Sequence, residues 1–488
     1  MSKFRDRAFY ETPLAEGYGL LPFHFTRLEQ DDYVLTNQAS EFLVLDRPTL
    51  ESFIRHRLPS SDPAYADLKS KHFLSDQDSA VAVDLLALKV RTKLRRFQNF
   101  TSLHMFVVSL RCEHSCPYCQ VSRQSDDRTA FDMSEETAAK AIDLVFRSPS
   151  PAIKIEFQGG EPLLNFSLIR FIVERAEAIN TTAKRDLKFV IATNLALIDD
   201  DILAFCRRHD ILISTSLDGP TDLHNHNRPR PGGDSYARAI DGIRRVRAAL
   251  GAGQVSALMT TTKASLGRVR DIIDEYVAQG FHSIFLRPLS PYGFAVKTKW
   301  ISSYDGDEWL DFYFEGLDYI IELNRNGYPF TEFYAATILA KMLTPFEPGY
   351  VDLRSPAGLG IAAVIYNYDG DVYASDEGRM LAEMGDKTFR LGNVHSDAYD
   401  AIFLSDALLD PLEQSFAASA PMCSDCAFEP YCGADPVFHH ATQGDFVGRK
   451  PESLFCTRNM AIFRRLISMM RRDDETRRLF VRWANALC

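Results

Sequence analysis

The chain has 488 residues, 46% of them hydrophobic and 25% charged, with a net charge of −11 and a pI near 5.6. That is an ordinary globular composition, with length for about two to four domains. The acidic balance argues against a broad nucleic-acid footprint and against attraction to anionic lipid. The basic runs at 91–96 and 471–478 read as solvated helix faces. The first residues, MSKFRDRAFYET, lack a signal-peptide core, and runs such as IAAVIY (361–366) are too short to span a bilayer. A cytoplasmic location is therefore expected, where thiols stay reduced and clustered cysteines bind metal or do chemistry.

Residues 1–100 open with alternating stretches. DDYVLTNQASEFLVLD predicts two strands around a polar turn from Asn37 to Ser40. Helical patterns follow at 48–56, 63–71 and 79–96, giving a small winged-helix-like plan. Residues 101–295 hold six strand patterns: LHMFVVSL, AIKIEF, LKFVIAT, ILISTSL, VSALMTT and HSIFLRP. Helical patterns separate them at 134–147, 163–179, 199–209, 235–250 and 265–279, with Asp132 and Ser134 as N-caps for the first and Ser265 for the last. Strands alternating with helices predict an α/β fold of parallel βαβ units, a partial (β/α)6 barrel, with ligands at the carboxyl ends of the strands. Residues 296–350 predict a helical bridge whose aromatic stripe packs in the core. In 351–488, GIAAVIYNYDGDVYA predicts a hairpin turning at Asp369-Gly370, and the chain ends in helix from about 458.

RCEHSCPYCQ places Cys112, Cys116 and Cys119 at CxxxCxxC spacing, two residues beyond the first barrel strand. A zinc site needs four ligands if structural, or three plus water if catalytic, and His114 could supply a fourth from inside the loop, where its reach is awkward. A thioredoxin-like motif leaves Cys112 unexplained, and Glu113, His114 and Gln120 do not suit a packed core. A cubane iron–sulfur cluster normally takes four thiolates, so three leave one iron open to a substrate or cosubstrate. Downstream, Cys423-x2-Cys426-x5-Cys432 and Cys456 form a second set, which the spacing alone divides between structural zinc and a fully ligated cluster. Cys206 reads as core and Cys488 as an unliganded terminal thiol.

The triplet, with Tyr118 before its third cysteine, resembles the signature of the radical S-adenosylmethionine (SAM) superfamily. Gln158-Gly159-Gly160-Glu161-Pro162 after the second strand is similar to that family's GGEP motif, and STSLDGP (214–220) to its SLDGP motif. The resemblance implies a [4Fe-4S] cluster on Cys112, Cys116 and Cys119. It also implies a SAM site drawing on Tyr118, Gln158 to Pro162, Asn194 and Ser216, with Asp218 ordering the turn. Residues 351–488 resemble the SPASM extension of radical SAM enzymes that modify ribosomally made peptides. Its seven-cysteine pattern is broken at Ala357, Ser375 and Pro436, which implies one auxiliary [4Fe-4S] cluster on Cys423, Cys426, Cys432 and Cys456, and loss of the other. Asp376 stands where related sulfatase-maturating enzymes carry a proposed general base.

The whole is most similar to the maturase of the His-Xaa-Ser system. This implies hydrogen abstraction from a precursor peptide and an intrapeptide cross-link, either C–C of the cyclophane type or a thioether. The partners implied are a precursor whose leader adds as a strand along Tyr33 to Asp46, and an electron donor such as ferredoxin or flavodoxin, with no nucleic acid and no membrane. The alternatives are sulfatase-type oxidation of Ser or Cys to formylglycine, and a non-catalytic, metal-stabilised peptide-binding protein.

Overall fold

The computed structural model describes residues 17–77 and 81–487. Cys488, expected to be free, lies outside them. Near the N-terminus, β1 (Tyr18–Leu20), β2 (His24–Glu29), β3 (Asp32–Thr36), β4 (Phe42–Asp46) and β5 (Leu74–Asp76) make two small sheets. β1 pairs with β5, and the other three run β2-β3-β4, all antiparallel. The helices Arg47–Ile54 and Pro63–Ser70 start where Asp46 and Asp62 cap them and a proline sits in the first turn. Leu35, Leu45, Phe53, Leu68 and Phe73 form a separate small core beneath. The third expected helix runs over Ala82–Leu94.

The main sheet has eight strands. Its barrel part comprises β6 (Leu103–Ser109), β7 (Ala152–Gly159), β8 (Asp186–Ala192), β9 (Leu212–Ser216) and β10 (Val255–Leu258), each parallel to the next. Alternation along β7 shows how the layers form. Ile153, Ile155 and Phe157 are buried against the outer helices, while Lys154, Glu156 and Gln158 face the more open inner side. Between the strands run the helices Glu135–Val145, Phe166–Ala183, Asp200–Arg208, Ser235–Leu250 and Val269–Ala278.

Three expectations shift here. The sixth strand, β11 (Ser283–Ile284), is two residues long and pairs with β12 (Thr331–Glu332) instead of β10. Beyond it the Glu332 carboxylate takes the Leu286 N–H at 3.2 Å, and the Thr261 N–H donates to the Arg287 carbonyl at 2.8 Å, tying this segment back to the barrel. Ser134 caps its helix through the Thr137 N–H, whereas Asp132 is drawn away by Arg111. The last helix starts at Val269, four residues later than expected, because Ser265 closes a tight turn with Thr262.

The other edge of the barrel is extended by β13 (Ala363–Tyr366), β14 (Asp371–Tyr373) and β15 (Arg390–Asn393). β13 lies parallel to β6 in the register Ala363↔Leu103, and the predicted hairpin turns at Gly370, whose φ of 85° suits glycine. The bridge is helical over Gly306–Arg325 and Phe333–Leu343, with Trp309, Phe312 and Tyr313 buried as expected. Among the described residues no helix is long and apolar enough to cross a membrane.

Candidate functional site

The loop after β6 is anchored at both ends. At its start the buried Arg111 guanidinium grips the Asp132 carboxylate with two bonds of 2.8 Å and the Leu164 carbonyl with another of 2.9 Å. The main chain of Gly160 and Glu161 docks on the same stem, donating to the Ser109 and Arg111 carbonyls at 2.8 and 2.7 Å. A Cβ on Gly160 would lie 2.2 Å from the Arg111 carbonyl oxygen, and one on Gly159 1.9 Å from that of Ser109. These glycines are therefore demanded by the cysteine loop's own stem, a constraint beyond room for a ligand. On the far side, the Ser115 N–H donates to the Pro229 carbonyl, and the Phe294 N–H to the Cys119 carbonyl, each at 2.7 Å.

The remaining motif residues knit this loop to the neighbouring strands. The Glu161 carboxylate, fully buried, accepts from Thr193 Oγ1 (2.6 Å), the Asn194 N–H (2.9 Å) and the Leu163 N–H (3.0 Å). Burial, and then the Glu113 charge, push its pKa up to about 8. Asn194 Nδ2 donates to Glu113 at 2.7 Å. Tyr118 is buried, and its hydroxyl donates to Asp218 at 2.6 Å. Asp218 also takes Arg228 Nε and Nη2 at 3.0 and 3.2 Å. Burial raises the Asp218 pKa, but the Arg228 and His224 charges outweigh it and hold the carboxyl below its usual range. Sequence reasoning missed Arg228, whose only signal was a cation eight residues beyond the SLDGP turn. Ser216 ends β9 half-exposed, and Gln158 lies half-exposed on β7, its Nε2 donating to Glu156 at 2.8 Å. Pro162 is buried at the start of a short 3-10 turn.

Cys112, Cys116 and Cys119 are each half-buried. Among the described residues, Cys112, Glu113 and His114 form the threesome of potential ligands whose atoms all lie within 4.8 Å of one another. His114 thus comes nearer than its place inside the loop suggested. Both its ring nitrogens have partners, however: Nδ1 lies 3.1 Å from Glu113 and 3.0 Å from Asn194, and Nε2 lies 2.9 Å from Ser235 Oγ. Burial pushes the Cys112 thiol far up and that of Cys116 up to about 12, with Arg228 acting the other way on Cys116. Such thiols become thiolates when metal displaces the proton. The residues fit a group held by three thiolates, with His114 engaged through both ring nitrogens and Glu113 Oε1 taken by His114 and Asn194.

The second set converges as well. Cys423, Cys426, Cys432 and Cys456 line one cavity of about 210 Å³, walled also by Met460, Phe463 and, from β2, Phe25 and Thr26. At roughly 30 Å³ per water molecule, that is room for a polyatomic group. A tetrahedral zinc would draw its sulfurs to within about 3.8 Å of one another, given Zn–S bonds near 2.3 Å, and no three cysteine sulfurs among the described residues lie within 4.8 Å of one another. The pocket thus fits an iron–sulfur cluster better than a zinc ion. Cys206 is buried in its helix, as expected. Asp376 opens the helix Asp376–Ala382 and pairs with Arg379 at 3.0 Å, while Arg379 Nη1 donates to the Val121 carbonyl, two residues past Cys119.

Residues 106–276 match the family model described as the Radical SAM superfamily. With the parallel sheet and the three-thiol loop, this defines the segment as a radical SAM domain. Over 126 residues the chain is 34% identical to an uncharacterized protein of Methanocaldococcus jannaschii, MJ0907, covering 26% of this chain and 41% of that one. It is 30% identical over 132 residues to a cysteine-type anaerobic sulfatase-maturating enzyme of Clostridium perfringens, covering 26% of this chain and 35% of the enzyme. The chain thus spans less than half the length of either. Among solved structures, AdoMet-bound anSMEcpe superposes with a TM-score of 0.65 at 17% identity, over 80% of this chain and all of that one. Streptococcus suis SuiB bound to the precursor peptide SuiA superposes with a TM-score of 0.51 at 16% identity, over 89% of this chain and 98% of that one. At such identities the likeness shows the fold.

Proposed function

We propose that this chain is a peptide-modifying radical SAM enzyme, of the kind represented by the maturase of the His-Xaa-Ser system. When bound, a [4Fe-4S] cluster on Cys112, Cys116 and Cys119 would cleave SAM reductively and so supply the radical that takes a hydrogen atom from a precursor side chain. The chain's own residues do the rest. Gly159, Gly160 and Glu161 fix the stem from which the cysteines hang. Asn194 and Ser216 offer polar groups at the carboxyl ends of the strands, where the amino acid and ribose of SAM would be held. Asp218, Tyr118 and Arg228 close the far wall of the loop. The outcome is an intrapeptide cross-link, of the C–C cyclophane type or a thioether.

The single observation that carries this reading is the loop of three thiols whose one nearby histidine is committed elsewhere. The four-cysteine cavity supports a second, fully ligated cluster that passes electrons, fed by a ferredoxin or flavodoxin in a cytoplasmic setting. The N-terminal sheet serves as the leader-binding element. Anaerobically reconstituted protein should hold about eight irons, four per cubane, and should form 5′-deoxyadenosine from SAM and a reductant. Replacing Cys112, Cys116 and Cys119 with Ala should abolish that product. Co-expression with a candidate precursor peptide should give a product lighter by two hydrogens.

Oxidation of Ser or Cys to formylglycine is a second reading, favoured by the sulfatase-maturating relative and by Asp376, whose carboxylate could accept a proton. Its product is an aldehyde that a hydrazide reagent captures, and a cross-link is not.

A further inference from the structure

A cavity of about 740 Å³ lies along β4, lined by no residue of the cysteine loop. β3 is the central strand of its sheet, paired on both sides, so the expected docking edge of Tyr33 to Asp46 contracts to Phe42–Asp46. The register says which groups are open. Lys71 Nζ donates to the Phe42 carbonyl at 2.7 Å, so that carbonyl points away from β3. By strand alternation the N–H and C=O of Val44 also face the cavity. An added strand needs unpaired main-chain groups; those of Val44 qualify, and the Phe42 carbonyl joins them when Lys71 Nζ turns to the incoming peptide.

The walls carry a charge opposite to that of the protein as a whole. Lys71, Lys89, Lys93, Arg471 and Arg477 line the groove, against Glu41 and Asp67. Arg471 is also paired with Asp32 at 3.6 Å, so the groove keeps an excess of two positive charges on a chain of net charge −11. Lys89 is paired with Glu41 at 2.6 Å, while burial lowers the Lys71 pKa. Leu43, Leu45, Met342 and Ile467 supply an apolar floor.

We infer that this groove binds an acidic peptide segment as a strand added to Phe42–Asp46, its apolar residues on the floor and its carboxylates on the lysine and arginine walls. The inference rests on the peptide-modifying reading and names the character of the leader: alternating apolar and acidic residues. Cation-lined grooves discriminate by electrostatics, so the preference should weaken with salt.

The probes are fluorescein-labelled peptides of about ten residues, alternating Val with Glu, Gln or Lys, titrated by anisotropy against the reconstituted full-length protein. The Glu peptide should bind at least tenfold more tightly than the Lys peptide at low salt, with the gap closing at high salt. Lys71→Glu combined with Arg477→Glu should reverse the order, and Val44→Pro, which removes an edge N–H, should weaken every peptide. Thermal melts confirm that the variants are folded. Equal affinities, or no binding, overturn the acidic preference. Binding untouched by Val44→Pro in a folded variant overturns the strand-addition mode. A concentration-dependent dimer abolished by the charge reversals assigns the groove to a second copy and overturns the proposal. None of these readouts depends on 5′-deoxyadenosine or on a precursor mass change, so the peptide-modifying reading fails or stands separately.

Discussion

Gly160→Ala is the most searching perturbation of the cysteine loop. The new methyl group would sit 2.2 Å from the Arg111 carbonyl oxygen and 2.7 Å from both the Arg111 carbonyl carbon and the Leu110 carbonyl oxygen. All three are main-chain atoms, so no rotamer change relieves the clash, and the stem must move by about 1 Å to restore ordinary contact distances. Overpacking of this kind costs about 1–3 kcal/mol. The Arg111 carbonyl also accepts the Glu161 N–H at 2.7 Å, and losing that buried bond adds about 1 kcal/mol. The expected loss is therefore about 2–4 kcal/mol, or roughly 5–10 °C in melting temperature for a domain of this size. Because Arg111 precedes Cys112, the displacement should empty the front site while the rear site keeps its iron, leaving about four irons of eight. Iron and sulfide analysis with differential scanning calorimetry measures both. Full iron and an unchanged melt, with only SAM affinity lost, would refute the packing argument and return Gly160 to a purely ligand-facing role.

Asp218→Asn keeps the shape but leaves Arg228 without its counter-charge, and breaking a buried pair costs about 3–5 kcal/mol; urea titration should show a loss of that order. Cys423→Ala should lower the iron count from about eight to about four, spare 5′-deoxyadenosine formation and abolish the modified peptide. His104 is buried between Tyr366 and the Thr101 carbonyl, and burial lowers its pKa to about 4 from 6.5. The unfolded chain therefore binds the extra proton between those values. Stability is full above pH 6.5 and falls by about 3 kcal/mol as pH drops toward 4; His104→Gln should flatten that slope in urea melts taken from pH 7.5 to 4.5.

The barrel was legible because its chemistry is local. AIKIEF alternates with period two, and β7 buries Ile153, Ile155 and Phe157 on that period. The cysteine spacings likewise pointed to two sites, and the structure gathers the rear four around one cavity. Long-range competition was not legible. Asp132 has the composition of a cap, yet a guanidinium 21 residues away holds its carboxylate. HSIFLRP has the pattern of a buried strand, but the Glu332 carboxylate takes the Leu286 N–H. Gly160 belongs to a motif whose resemblance implies a SAM site, yet what stands against it is the main chain of Arg111 and Leu110. Which strand of the N-terminal sheet lies open depends on β2, which the alternation around Asn37 did not reveal.

The ladder between β6 and β13 has a mechanical meaning. Leu103 and Ala363 are 260 positions apart in sequence but neighbours in one continuous sheet. One strand leads directly into the front thiols, and the other belongs to the unit that carries the rear ones. The unit that carries the rear cysteines is thereby pinned to the strand that leads into the front ones by hydrogen-bond register, as teeth pin a rack, and a cut near residue 350 would strip a flank from the barrel itself.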